Sequence, residues 1–106
     1  MIECMKKRRS IRQYTEQDVP EELLCELLEV ASRASNTGNM QLYSVVVTRD
    51  LKRKAQLAPA HFNQPMVTQA PVVLTICADY RRTTAWANHR KAHPGYDNIL
   101  SFMNAA

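Results

Sequence analysis

Arg8-Arg9-Ser10-Ile11-Arg12 places three guanidiniums and one hydroxyl within five residues. Forked guanidinium donors match phosphate oxygens, and a serine adds a short hydrogen bond. If the chain is extended beyond Ser10, Ser10 and Arg12 face the same side. Such a run suits capture of a phosphate; the plainer reading is an exposed basic turn. A second polar cluster, Asn36-Thr37-Gly38-Asn39, offers neutral donors and acceptors at a junction between elements. Ligands often bind where loops leave a rigid scaffold. Asn and Gly also tolerate unusual backbone angles, so a plain turn fits the same residues.

The remaining reactive side chains form no constellation. His89 and His93 are spaced as a pair on one helix face. No carboxylate or cysteine accompanies them at ligand spacing, and no C-x-x-C occurs, so the three histidines read as surface residues and no metal is expected. The chain lacks G-x-x-x-x-G-K, G-x-S-x-G and H-E-x-x-H. Cys4, Cys25 and Cys77 are widely spaced and odd in number, which suits a reducing cytoplasm rather than a disulfide framework. Cys77 is expected in the core, and Cys25 is read as structural. The acidic residues of 16–29 read as the wet face of a helix, so no side chain is assigned a catalytic role.

Several elements must position the two clusters. Residues 1–10 read as a short helix or basic lead-in, and 11–19 as extended or irregular. Over 20–34, Leu23, Leu24, Leu27, Leu28, Ala31 and Ala34 recur at helical spacing. Pro20 suits the first turn, and Glu21 and Glu22 suit the positive end of the dipole. The spacing predicts a strand over 42–48, a short basic helix over 51–58, and a loop with room for one extra turn over 60–69. A nearly continuous apolar run over 71–78 predicts a strand buried on both faces. Helices are expected over 80–92 and from Asp97 to the end, with Asp97 as N-cap.

The length of 106 residues allows one domain. Hydrophobic residues at 45% and charged residues at 23% argue against disorder. No apolar run is long enough for a membrane span, and the basic N-terminus lacks the apolar core of a signal peptide, so no membrane partner is expected. A formal charge of +4, with basic clusters at 6–12, 49–54 and 81–91, suggests an anionic partner or an ordinary solvated surface. A small basic nucleic-acid-binding or non-catalytic interaction module is the competing class. No aromatic interleaves with the basic runs as a stacking platform would, so no nucleic acid is expected. A two-stranded sheet is marginal alone, and the last predicted helix has no C-cap. The chain is therefore expected to be the front part of a larger fold, or to complete itself through a partner subunit.

Taken in order, these pieces resemble the FMN-dependent nitroreductase family. That family opens with a basic R-[RH]-S-x-[RK] segment, followed by V-P-x-E-x-L leading into an amphipathic helix, then a polar loop ending N-x-Q before a strand. Here those parts read Arg8-Arg9-Ser10-Ile11-Arg12, Val19-Pro20-Glu21-Glu22-Leu23-Leu24 and Asn36-Thr37-Gly38-Asn39-Met40-Gln41. The strand ending in Thr48-Arg49-Asp50 also fits. So do Asn63 ahead of Ala70-Pro71-Val72-Val73, and His93-Pro94-Gly95-Tyr96-Asp97-Asn98 leading into Ser101-Phe102-Met103. The likeness covers essentially the whole chain.

The resemblance implies an α+β fold with a central, mostly antiparallel sheet flanked by helices, of which residues 1–106 form a truncated N-terminal part of a single domain. It implies a cytoplasmic homodimer with FMN at its interface, which takes electrons from NAD(P)H and passes them to nitroaromatics, quinones or similar small-molecule acceptors. The resemblance assigns Arg8, Arg9 and Ser10 to the FMN phosphate and ribityl chain. It brings Arg12 and Asn63 to the flavin pyrimidine edge, and Asn36, Thr37 and Asn39 to the FMN of the partner subunit. Many members carry P-S-S-x-N where this chain has Ser35-Asn36-Thr37-Gly38-Asn39. Some place a lysine near the flavin where Met66 stands here.

Overall fold

A computed structural model describes residues 2–93. The predicted helix from Asp97 and the His93–Met103 motif beyond its first residue lie outside the described residues. The order is α1 (Ile2–Lys7), α2 (Glu21–Ser32), β1 (Tyr43–Thr48), α3 (Leu51–Leu57), α4 (Pro65–Gln69), β2 (Val73–Ala78) and α5 (Arg81–His89). Single 3-10 turns lie at Thr37–Asn39 and Ala58–His61. No helix among the described residues is long and apolar enough to cross a membrane.

The chain divides into two compact units, each assembled from two separate stretches. One comprises Met1–Asp18 with Thr48–Val73, the other Val19–Val47 with the residues from Leu74 on.

In the first unit, Asp50 caps α3 by accepting a bond from the Arg53 N–H at 2.9 Å. α3 packs against α4 and the Ala58–His61 turn, burying Ala58, Val67 and Ala70. Lys54 lies within this small core rather than on the basic surface, 4% exposed, with Nζ donating to the Ala70 carbonyl at 2.7 Å. The extra turn that the sequence left room for over 60–69 is α4, five residues long. Pro65 at its first turn needs no N–H partner and has φ preset for a helix, and the Thr68 hydroxyl bonds back to the Pro65 carbonyl at 3.0 Å.

In the second unit, α2 forms where the helical spacing predicts, but Leu23, Leu27, Ala31 and Ala34 of its predicted apolar face are exposed. Leu24 is the anchor at 2% exposed, and Leu28 is half-buried. The helix stops at Ser32, two residues short of expectation. There the Arg33 and Ala34 N–H groups bond to Val30 and Ala31 at 3.1 Å each, tightening the last turn. β1 and β2 pair directly. The Asp79 N–H donates to the Leu42 carbonyl at 2.8 Å, setting the residue after β2 against the residue before β1, which is antiparallel register.

β2 differs from the expected strand buried on both faces. Val73, Thr75 and Cys77 are half-buried, whereas Leu74 and Ile76 are exposed, Ile76 at 75%. This alternation is that of a strand with one covered face, and it leaves Cys77 half-buried rather than in the core. Cys25 is exposed on α2. α5 spans Arg81–His89, inside the predicted 80–92, and His93 lies beyond its end, so the histidine pair does not share a helix face. No cluster of metal-ligating side chains occurs among the described residues.

Candidate cofactor site

Arg8, Arg9, Ser10 and Arg12 follow α1 and are exposed. The Arg8 N–H closes the helix on the Met5 carbonyl at 3.3 Å, and the Tyr14 hydroxyl donates to the Ile11 carbonyl at 3.1 Å. Salt bridges do form in the same unit, between Lys6 and Glu3 at 3.4 Å and between Arg49 and Asp18 at 2.6 Å. Among the described residues, none joins Arg8, Arg9 or Arg12 to a carboxylate. Three guanidiniums without internal counter-charges beside a serine hydroxyl form a donor set that fits an external phosphate.

Asn63 belongs to the same unit and is exposed. It is held by its backbone, the N–H donating to the Ala58 carbonyl at 2.9 Å. Phe62 and Asn63 both take the left-handed conformation, with φ 56° and 53°. Such a backbone costs a non-glycine residue about 1–2 kcal/mol. Phe62 is also 89% exposed, so its ring recovers little of that through burial. Sequence reasoning missed this turn, because His-Phe-Asn-Gln contains no glycine to announce it.

Asn36, Thr37 and Asn39 sit in the second unit, in the loop between α2 and β1. Gly38, Asn39 and Gln41 are left-handed, at φ 56°, 52° and 52°. Gln41 binds the loop together. Its N–H donates to Asn36 Oδ1 at 3.1 Å, and its Nε2 donates to Asn39 Oδ1 at 3.0 Å and to the Ser32 carbonyl at 3.3 Å. Asn36 Nδ2 donates to the Ala34 carbonyl at 3.3 Å. Both polar atoms of the Asn36 side chain are therefore engaged inside the loop. Among the described residues, the Thr37 hydroxyl has no hydrogen-bond partner, and Asn39 keeps its Nδ2 donors. The first turn of α5 reaches the same loop: Arg82 Nη2 donates to the Gln41 carbonyl at 2.6 Å, and the Thr83 hydroxyl to the Met40 carbonyl at 3.1 Å. Gly38, Asn39, Arg82, Thr83 and Trp86 line a pocket of about 410 Å³ there. Gln41, Arg82 and Thr83 were not singled out from the sequence as site residues. Their part depends on which carbonyls they meet, and spacing does not carry that.

Asp79 fixes the start of α5. Its carboxylate accepts the Ser44 hydroxyl from β1 and, at 3.1 Å, the Arg81 N–H. The Ser44 bond above all holds this carboxyl below the usual carboxylate range. The Arg81 N–H and the charges of Arg82 and Arg81 add to this, against a partial loss of water. A carboxyl depressed in the folded state contributes stability that is fully present above its unfolded value, about 3.9, and lost as pH falls through the folded value. Asp79→Asn should therefore unfold at lower urea than wild type at neutral pH. The two midpoints should converge as pH falls below about 4. A difference that persists unchanged at pH 3 would show that the Asp79 charge contributes nothing.

The pattern of the whole chain has counterparts. The family model described as the nitroreductase family matches residues 5–73. A protein of Thermus thermophilus named NADH dehydrogenase is 46% identical over 89 residues, which are 84% of this chain and 43% of that protein. The FMN reductase [NAD(P)H] of Bacillus subtilis is 35% identical over 82 residues, 77% of this chain and 33% of that one. A crystal structure from Bacteroides fragilis, described as an oxidoreductase, superimposes with a TM-score of 0.92 at 57% identity. It covers 97% of this chain and 42% of that chain. The chain thus spans less than half the length of these relatives. The matched stretch holds the arginine–serine run, α2, the polar loop, β1 and the Phe62–Asn63 turn in that order, and on this match the chain belongs to the nitroreductase family.

Proposed function

We propose that the protein is an FMN-dependent oxidoreductase that takes electrons from NAD(P)H and delivers them to nitroaromatics, quinones or similar acceptors. Residues 1–106 form the N-terminal part of its single domain. The molecule works as a cytoplasmic homodimer with FMN at the interface. The observation that carries this reading is the Arg8-Arg9-Ser10-Ile11-Arg12 run, whose guanidiniums are exposed and have no carboxylate partner among the described residues. The name of the Bacillus subtilis relative, an FMN reductase, supports the choice of cofactor.

Bound FMN would supply the redox chemistry, which accounts for a site without a nucleophile or an acid–base pair. The chain binds, orients and tunes. Arg8, Arg9 and Ser10 hold the phosphate and ribityl chain through charge-assisted hydrogen bonds. Arg12 would hold the pyrimidine edge and supply positive charge there. Asn63, set by its left-handed backbone, would offer a hydrogen bond at the same edge. Thr37 and Asn39 reach the cofactor of the partner subunit, and Asn36 shapes the loop that presents them.

The test is a visible spectrum of the purified protein, taken before and after addition of FMN and dialysis. Flavin bands should survive dialysis, and NAD(P)H should then be oxidised in the presence of a nitroaromatic or a quinone. A colourless protein that cannot be reloaded overturns the proposal.

A further inference from the structure

We propose that Arg82, with Thr83, is a positioning residue that holds the polar loop before β1 in the form that receives the cofactor. This rests on the reading that Thr37 and Asn39 contact FMN. Gly38 and Asn39 tolerate the left-handed backbone, but Gln41, at φ 52°, is of a type that rarely adopts it, so neighbouring groups must hold it there. The bonds inside the loop converge on the Gln41 and Asn36 side chains, and they leave the Met40 and Gln41 carbonyls to be satisfied from outside. α5 satisfies both: Thr83 Oγ1 reaches Met40 at 3.1 Å and Arg82 Nη2 reaches Gln41 at 2.6 Å. The two donors are adjacent in sequence and so are the two acceptors, which makes the hold a two-point clamp.

The clamp is itself anchored. The Asp79 carboxylate accepts both the Arg81 N–H and the Ser44 hydroxyl, and the Asp79 N–H binds the Leu42 carbonyl at 2.8 Å. Leu42 directly follows the clamped pair. The start of α5 and the end of the loop are therefore tied at three consecutive carbonyls, those of Met40, Gln41 and Leu42. Arg82 is far from Thr37 and Asn39 in sequence. It lines the same pocket as Asn39, but its Nη2 is engaged by the Gln41 carbonyl, so we assign its influence on a ligand at Thr37 and Asn39 to the loop backbone.

The experiment is FMN titration of the apoprotein by flavin fluorescence, combined with amide hydrogen exchange of the flavin-free protein. Arg82→Ala should weaken FMN about tenfold, the loss of one hydrogen bond from a charged donor. Arg82→Lys should recover part of this, because Nζ can still donate to the Gln41 carbonyl. In a Thr37→Ala/Asn39→Ala background the same Arg82→Ala change should cost less than about twofold, since the groups it positions are gone. Without flavin, Arg82→Ala should speed exchange at the Asn39, Met40 and Gln41 amides about tenfold and leave β1 protection unchanged. Wild-type exchange at the loop in Arg82→Ala overturns the proposal, as does an equal loss of FMN affinity in both backgrounds. A wild-type protein that takes up no FMN defeats the cofactor reading alone, and the exchange rates still decide whether Arg82 holds the loop.

Discussion

Lys54→Ala should lower the unfolding free energy by about 2–4 kcal/mol, a large share of the total for a chain of this size. The side chain is 4% exposed, and its Nζ is bonded to the Ala70 carbonyl at the end of α4. Truncation has two costs. The Ala70 carbonyl loses its partner inside a core, at about 1–3 kcal/mol. The three missing methylenes cost about 0.8 kcal/mol each, and removal of a buried ammonium returns part of its desolvation penalty, which brings the net to the range above. Lys54→Met keeps most of the stem and forfeits mainly the hydrogen bond, so it should cost about half as much. Urea unfolding measures both, read as a shift in midpoint at constant slope. A wild-type midpoint in Lys54→Ala would mean that the α3–α4 pair is held by something else.

Arg8→Ala/Arg9→Ala should raise the FMN dissociation constant about a hundredfold, near tenfold for each charge-assisted contact removed. Riboflavin is the informative control. It has the same ring and ribityl chain and no phosphate, so its affinity should be nearly the same in the double variant and in wild type. Wild type should discriminate strongly between the two ligands, and the variant weakly. Added salt should erode that discrimination in wild type, because the contacts are exposed. Equal losses for FMN and riboflavin would move these arginines off the phosphate.

What the sequence made visible was periodic. α2 announces itself through leucines at helical spacing, and β1 through a β-branched run. Both are found within two residues of expectation. The arginine run was readable because three guanidiniums and a hydroxyl within five residues are a feature of sequence alone. Features that depend on a meeting of distant groups stayed hidden. Lys54 lies in a basic segment and reads as solvated, and only the packing of α3 on α4 turns it inward. The apolar stretch over 71–78 gave no period, so the exposure of Leu74 and Ile76 could not be told from it. The left-handed backbones at Phe62 and Gln41 belong to residue types that rarely adopt them, and neighbouring hydrogen bonds impose them against local preference. Asn36 was legible as a polar loop residue, but its engagement inside the loop was not.

Each compact unit is stitched from an early and a later stretch of chain, Met1–Asp18 with Thr48–Val73 in one case and Val19–Val47 with residues after Val73 in the other. The order in which the polypeptide emerges during synthesis therefore matters. α2, the polar loop and β1 are all made before the strand and helix that pair with them, so the Met40, Gln41 and Leu42 carbonyls have no donor from Asp79, Arg82 or Thr83 until then. Closure joins residues about forty apart in sequence, as Leu42 with Asp79 and Met40 with Thr83 do, which favours slow assembly over local zippering.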